Sequence, residues 1–305
     1  MVDRHDCSFG GAAHLGWKTG HAMIITRLFG GAGNQLFQYA AGRALADHLR
    51  TDLALDRRYL GLRDENRADC FSNFEEARFV DNVALPPAKM DGFARYALWR
   101  KLGRDPQFRR EAGLGFNDGF FDLPDQSYLH GYWQSERYFG DAAKRIREDL
   151  RMTTPLNEAN RDMAEQIAEA EVPVSVHVRR GDYVGDGAFA VCSPEYYRGA
   201  VARMGEELEG SVTCFVFSND PDWARTHLDL GAETIVVDIN DEKHGHFDMH
   251  LQSLCAHNII ANSTFSWWGA WLNANADKRV IAPKDWFGPG KPANPDICPP
   301  GWIRL

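Results

Sequence analysis

Long apolar runs are missing from this 305-residue sequence: no stretch of 18 apolar residues occurs, so nothing in it reads as a bilayer-spanning helix. Cysteine is sparse and scattered. The six cysteines (Cys7, Cys70, Cys192, Cys214, Cys255 and Cys298) show no Cys-x-x-Cys spacing, which argues against a zinc cage or a disulfide framework and suits reduced thiols in a cytoplasm. Positive charge is in the minority. Lys and Arg number 34 against 43 Asp and Glu, a formal net charge of −9, and a nucleic acid or an anionic membrane would attract a basic protein instead. Any phosphate site must therefore be a local concentration of arginine inside an acidic whole. Residues 1–22 carry Asp3, Arg4 and Asp6 without an apolar core, so they do not read as a signal peptide. They are expected to be a disordered extension, with Met23 as a candidate start just before the first strand-like run.

What is present is ordinary globular material, 44% hydrophobic and 25% charged, long enough for one large or two medium domains. Ile24 to Phe29 reads as a strand, the glycine-rich run from Gly30 as a turn, and the alanine-rich sequence to about Arg50 as a helix with Leu36, Tyr39 or Ala40, and Leu45 at helical spacing. Asp52 to Asp56 completes a strand-helix-strand unit. Tyr128 to Trp133 reads as a further strand bent at Gly131, and Phe139 to Leu150 as an amphipathic helix. The polar, proline-bearing break Arg151-Met-Thr-Thr-Pro-Leu156 predicts a domain boundary, giving an N-terminal domain over 23–152 and a C-terminal one over 153–305. Beyond it, helices over 157–171, 194–209 and 244–257 alternate with strands at 174–178, 212–217, 234–238 and 259–260. Such alternation predicts a doubly wound α/β domain. The tail after Ala282 is expected to be a proline-rich loop wrapping the surface.

The stretch that organises the rest is Val174-Ser-Val-His-Val-Arg-Arg-Gly-Asp182, an apolar run ending in His177, Arg179, Arg180 and Asp182. Side chains alternate along a strand, so His177 and Arg179 share a face, and Gly181 leaves Arg180 free to swing into the same cleft. Two guanidiniums at the carboxyl end of a parallel strand suit a nucleotide diphosphate, because ligands bind there and arginine's fork matches phosphate oxygens. The competing reading is a solvated arginine pair with Asp182 as its ion-pair partner.

Three other places carry polar groups to the same kind of edge. In Gly30-Gly-Ala-Gly-Asn-Gln35, Gly33 frees the backbone while Asn34 and Gln35 set two amides where free N–H groups collect at a helix start; a plain tight turn is the alternative. Ser218-Asn219-Asp220-Pro221 ends one strand and starts a helix. Asp248 stands near the start of another helix, where a carboxylate can accept from a base's ring N–H and amino group. Asn262-Ser263-Thr264 places hydroxyls at a helix N-terminus, where the macrodipole favours anions; ordinary capping would use the same residues. Phe265 stands at that helix start and is counted with the donor-binding residues, although its spacing with Trp268 and Leu272 is that of a packed face. His246 and His250 share a helical face, but no further ligand at a recognised spacing supports a metal.

Three motifs taken together, residues 177–182, 30–39 and 262–272, closely resemble the bacterial α-1,2-fucosyltransferase family over roughly 23–282. The resemblance implies a GT-B-like glycosyltransferase with two Rossmann-type domains, the N-terminal one on the acceptor side and the C-terminal one binding GDP-β-L-fucose. It implies inverting transfer of L-fucose to the 2-hydroxyl of a terminal galactose, with GDP-fucose as donor substrate, no cofactor and no metal. His177, Arg179, Arg180 and Asp182 carry over as donor-binding residues. Arg179, Arg180, Asp182 and Asn34 are the expected catalytic groups, with Asp182 or Asp186 the nearest carboxylates for a base. Gly33, Gln35, Ser218, Asn219, Asp248, Asn262, Ser263, Thr264 and Phe265 join the expected donor site. Ala32 departs from the leucine usual in relatives, a change of packing. The implied partner is a β-galactoside acceptor glycan, such as a lipid-linked O-antigen repeat, with the enzyme cytoplasmic and at most peripheral to the inner membrane. Sibling activities with another GDP-sugar or acceptor hydroxyl, and a non-catalytic GDP-sugar or glycan-binding module, remain open alternatives.

Overall fold

The structure, a computed structural model, describes residues 23–57, 60, 70–71, 108–181, 192–290 and 292–305. The expected extension over 1–22, and with it Asp182 and Asp186, lies outside the described residues.

The chain begins with β1 (Met23–Arg27), α1 (Ala32–Leu49) and β2 (Asp52–Asp56), followed by β3 (Phe108–Arg110) and β4 (Tyr128–His130). These strands form one parallel sheet in the order β2-β1-β4-β3, with Ile25 opposite both Ala54 and Tyr128. After α2 (Ala143–Asp149) the chain crosses the predicted break and builds a second parallel sheet. Its elements are α3 (Glu158–Glu169), β5 (Val172–Val178), α4 (Pro194–Glu207), β6 (Val212–Ser218), α5 (Pro221–His227), β7 (Glu233–Val237), α6 (Gly245–Leu254), β8 (His257–Ile259), α7 (Thr264–Leu272), β9 (Val280–Ala282) and β10 (Ile303–Arg304). The order β10-β9-β8-β5-β6-β7, counted from β5 as the first strand, is the classic Rossmann order with its reversal between β5 and β8.

Local chemistry explains most of the element starts. Asn157, Ser193 and Asp220 cap α3, α4 and α5 through their side chains, and Pro194 and Pro221 stand in the first turn where no N–H is required. Every residue of β5 is buried, as expected of a strand covered on both faces. In α1, Leu36, Tyr39, Ala40 and Leu45 are all buried, the stripe the spacing predicts. The helix is enclosed on further faces too, because α7 lies across it: Phe37 contacts Trp267 at 4.4 Å and Trp268 at 5.1 Å, while Phe139 stacks on Trp268 at 5.5 Å. One apolar cluster thus joins the N-terminal sheet, α1 and the tryptophan helix α7, each buried side chain of this size stabilising by roughly 1.5–3 kcal/mol.

Several boundaries depart from the expectations. The strand from Tyr128 stops at His130, because Gly131 and a left-handed Trp133 (φ 55°) turn the chain out of the sheet. The helix expected over Phe139 to Leu150 is regular only over Ala143–Asp149, after two short 3-10 turns. The helix expected over 244–257 ends at Leu254, and His257 instead opens β8. The largest correction concerns the tail. Ile303 pairs with Ile281 as an edge strand, Trp286 and Ile297 are buried, and the Trp267 indole donates to the Ile297 carbonyl at 2.6 Å. The tail is thus an integral part of sheet and core.

Candidate active site

The two sequence motifs end on neighbouring strands. β5 pairs with β8 through Val176 and Ile259, a separation of about 4.8 Å between strands. Arg179 and Arg180 follow β5 directly, and Ala261-Asn262-Ser263 follows β8 into α7. This is the switch point of the sheet, where adjacent connections diverge and leave a crevice beyond the carboxyl ends. The motifs also touch: the His177 ring lies 5.6 Å from that of Phe265, centroid to centroid.

A second helix N-terminus closes on the same place. Gly33, in the first turn of α1, sits against the backbone of Thr264 so tightly that an added Cβ would lie 2.6 Å from both the Phe265 nitrogen and the Thr264 oxygen. The Trp268 indole donates to the Gly33 carbonyl at 3.0 Å and fixes the contact. α1 starts at Gly31 with no side-chain cap, and neither α1 nor α7 has an acid in its first turn. By contrast, α3, α4, α5 and α6 carry Glu158, Glu195, Asp222 and Asp248 there. Two helix starts with unopposed partial positive charge, beside two arginines, make a concentration of positive potential that can hold a diphosphate.

The arginines differ in their surroundings. Arg179 is half-buried at the strand end. Arg180 is held in place, contrary to the expectation of a freely swinging side chain: its guanidinium lies 3.8 Å from the centre of the Trp223 ring, its Nε 3.8 Å from Asp220, and its backbone N–H donates to Asn219 at 2.9 Å. Trp223 in turn stacks on His227, with 6° between the ring planes. His177 is buried. Burial and the neighbouring Arg179 push its pKa down to about 3, so it is a neutral imidazole whose buried Nδ1 has no hydrogen-bond partner.

The other expected residues divide into those facing the crevice and those bracing it. Thr264 and Asn34 are half-buried at the two helix starts, and Asn34 Oδ1 accepts from Gln134 at 2.8 Å. Ser263 caps α7 by accepting from the Phe265 N–H at 3.3 Å, so its hydroxyl has the capping task left open by the sequence. Asn262 is buried, its amide donating to the Trp286 carbonyl at 2.7 Å. Gln35 is fully buried and donates to the Gly30 carbonyl at 3.0 Å. Ser218 accepts from the Asp220 N–H at 3.0 Å, bracing the turn that carries Asn219. Asn262, Gln35 and Ser218 therefore shape the crevice from beneath.

Asp248, at the start of α6, has its carboxylate pKa raised to about 7, chiefly by burial, although the Asn240 amide donates to it at 2.7 Å. Asn240 is itself paired with Asn160 at 2.9 Å. Among the described residues no cation compensates this half-buried carboxylate, so a ligand offering N–H donors would stabilise its charged form.

Sequence reasoning missed Trp223, Gln134 and Asn240. Each is a lone residue far in sequence from the motif it supports, and only the pairing of elements brings it near. Among the described residues, no helix is long and apolar enough to cross a membrane.

Comparison with known proteins agrees with this geometry. A family model described as glycosyl transferase family 11 matches residues 113–305. An alpha-1,2-colitosyltransferase from Escherichia coli is 31% identical over 93% of this chain and 99% of its own length. The O-antigen biosynthesis glycosyltransferase WbnK, also from Escherichia coli, is 31% identical over 91% of this chain and 99% of its own. Among solved structures, a mutant of Arabidopsis thaliana FUT1 in complex with GDP aligns with a TM-score of 0.50 at 12% identity, covering 87% of this chain and 71% of that one. The architecture is GT-B-like, two parallel α/β halves with their strand ends turned to a shared crevice.

Proposed function

Since the chain belongs to glycosyl transferase family 11, and so is a glycosyltransferase, we propose that it moves L-fucose from GDP-β-L-fucose to the 2-hydroxyl of a terminal galactose on a surface glycan. The observation that carries this reading is the convergence, at the β5/β8 switch point, of the strand end bearing Arg179 and Arg180 with the starts of α1 and α7, neither of which has an acid in its first turn. In this account the C-terminal half, 153–305, holds the donor, and the N-terminal half, 23–152, presents the acceptor.

The reaction breaks the bond between fucose C1 and the β-phosphate oxygen and forms a bond from C1 to the acceptor oxygen with inversion. Positive charge grows on the sugar ring and negative charge on the departing GDP. Fixed donors aimed at the diphosphate stabilise that departure, commonly the largest catalytic contribution. Arg179, Arg180, the Thr264 hydroxyl, the backbone N–H groups of Ala32 and Gly33 and the side chain of Asn34 are the groups assigned to it. The acceptor proton passes to a carboxylate, for which Asp182 is the proposed residue, or to the leaving phosphate. Asp248, reinforced by Asn240, is assigned to the guanine N1–H and 2-amino group. No metal is required in this scheme, and undiminished turnover in EDTA tests that point.

A second donor is favoured by one specific observation, the colitosyltransferase relative matched along nearly its whole length. Colitose is fucose without the 3-hydroxyl, so both sugars would place the same diphosphate on the same arginines. Incubating the protein with GDP-fucose or GDP-colitose and a panel of β-galactosides, then following GDP release and assigning the product linkage by NMR, separates the two. GDP binding without release under every pairing would indicate a binding module. The proposed acceptor is a repeat of the O-antigen type, lipid-linked and met at the inner membrane; transfer to a water-soluble repeat and to its lipid-linked form, compared with and without vesicles, tests this.

A further inference from the structure

The carboxyl edge of the N-terminal sheet carries a cluster that the donor site does not use. Phe29, just beyond β1, and Tyr132, just beyond β4, meet with ring centroids 4.9 Å apart and planes tilted by 57°. His130 closes the group, 5.2 Å from Phe29. Tyr132 is one of four large apolar side chains left exposed among the described residues, at 38%. Burial, with Arg27 and Arg110 nearby, lowers the His130 pKa to about 4, so the ring is neutral at pH 7, and its buried Nδ1 has no hydrogen-bond partner.

The loop presenting these rings is held in an unusual shape. Trp133 adopts a left-handed φ of 55°, a conformation that costs a bulky residue of order 1–3 kcal/mol and persists only where the surroundings enforce it. Here a half-buried carboxylate holds it: Glu111 accepts from the Tyr132 N–H at 2.7 Å and the Trp133 N–H at 3.0 Å. Next along the chain, Gln134 reaches Asn34 at the start of α1, while Phe29 is gripped by Gln38, which donates to its carbonyl at 3.1 Å and accepts from its N–H at 3.0 Å. The rings are thus tied to α1: Tyr132 through Gln134, two residues on, to Asn34 in its first turn, and Phe29 to Gln38.

From this geometry we infer that Phe29, Tyr132 and His130 form the subsite for the acceptor hexopyranose, selecting galactose by its apolar face. The inference rests on the glycosyltransferase reading above. A β-galactoside has an axial 4-hydroxyl, which leaves the C–H groups at positions 3, 4 and 5 as one continuous apolar patch. A β-glucoside, with an equatorial 4-hydroxyl, presents a less continuous one. Two aromatic rings set at a tilt fit the former, and the neutral His130 ring, packed against Phe29, backs them from the side. Glu111 and Gln38 are positioning residues that keep the platform in register with the donor crevice.

The test uses the full-length protein with GDP bound. Binding of methyl β-galactoside and methyl β-glucoside is measured by saturation-transfer difference NMR, and GDP affinity by calorimetry. The unaltered protein is expected to bind the galactoside in preference to the glucoside. Tyr132→Ala should weaken galactoside binding about tenfold, Tyr132→Phe should retain it, and both should keep GDP affinity within about twofold. His130→Gln should weaken the galactoside a few-fold, again without effect on GDP. Because Tyr132 is exposed, its loss leaves the core intact, and unchanged GDP affinity verifies the fold. Galactoside binding that is absent from the unaltered protein, indifferent to Tyr132→Ala, or no stronger than glucoside binding overturns the inference. Failure to bind GDP at all would instead overturn the donor reading.

Discussion

Gly33 in the first turn of α1 lies against the backbone of Thr264 in the first turn of α7, with no room between them for a methyl group. Two glycosyltransferase motifs far apart in sequence are thereby joined at their helix starts, and the α7 start follows β8, the neighbour of the strand that carries Arg179 and Arg180 at its end.

Gly33→Ala is expected to force these helix starts apart. Because the opposing atoms are backbone, which yields little, the cost should be roughly 1–3 kcal/mol of stability together with a loss of GDP affinity. Thermal unfolding and calorimetric titration of the variant check both parts; a variant with unchanged affinity would show that the helix contact does not shape the donor site.

Arg180 needs its aromatic neighbour. Trp223→Ala removes the surface on which the guanidinium lies at 3.8 Å, and the expected outcome is a raised donor KM with an unaltered acceptor KM. The cation–π contact is worth about 0.5–2 kcal/mol, so the effect should be of order threefold to thirtyfold. Trp223→Phe should recover part of it.

Donor affinity should depend on pH through Asp248. Its carboxyl group in the free protein titrates at about 7, and guanine donors favour the charged form, so binding below neutrality must expel a proton. GDP affinity is therefore full above pH 7 and falls as pH drops, by roughly 30-fold between pH 8 and pH 5.5. Asp248→Asn should flatten that profile while lowering affinity at pH 8, as calorimetry across the pH range would show.

Gln38 offers a test of the scaffold. Its amide gives the Phe29 backbone both a donor and an acceptor in place of a neighbouring strand. Gln38→Leu would leave two part-buried backbone groups unpaired, at a cost of roughly 1–3 kcal/mol. Chemical denaturation should register the loss.

Much of the architecture was legible because its cause is local. The apolar run of β5, the serine and proline opening α4, and the alternation of strands with helices each follow from a few adjacent residues. So does the proposal of an anion site after β5, which needs only two arginines at a strand end. What escaped depends on distance. β9 and β10 are three and two residues long, too short for a periodicity, and they become strands by pairing outward from β8, β9 on β8 and the tail strand β10 on β9. The swing expected of Arg180 was wrong for a similar reason: Trp223, which pins it, lies on another strand's connection. Gln35 and Asn262 carry donor-like chemistry in sequence, yet the fold turns both inward as braces.

Removing either arginine should cost transfer more than it costs folding. Arg179→Ala and Arg180→Ala are each expected to lower turnover roughly 100- to 1,000-fold, the range for loss of one fixed donor to developing charge, with little change in melting temperature. Steady-state kinetics with GDP-fucose, alongside thermal unfolding, measure this; near-normal turnover in both variants would remove the arginines from the reaction.

The most direct measurement is a crystal structure of the protein with GDP bound. The diphosphate is expected beyond the ends of β5 and β8, contacted by the guanidinium of Arg179 or Arg180 on one side and by the starts of α1 and α7 on the other. A diphosphate bound elsewhere, or touching only one of these elements, would contradict the account.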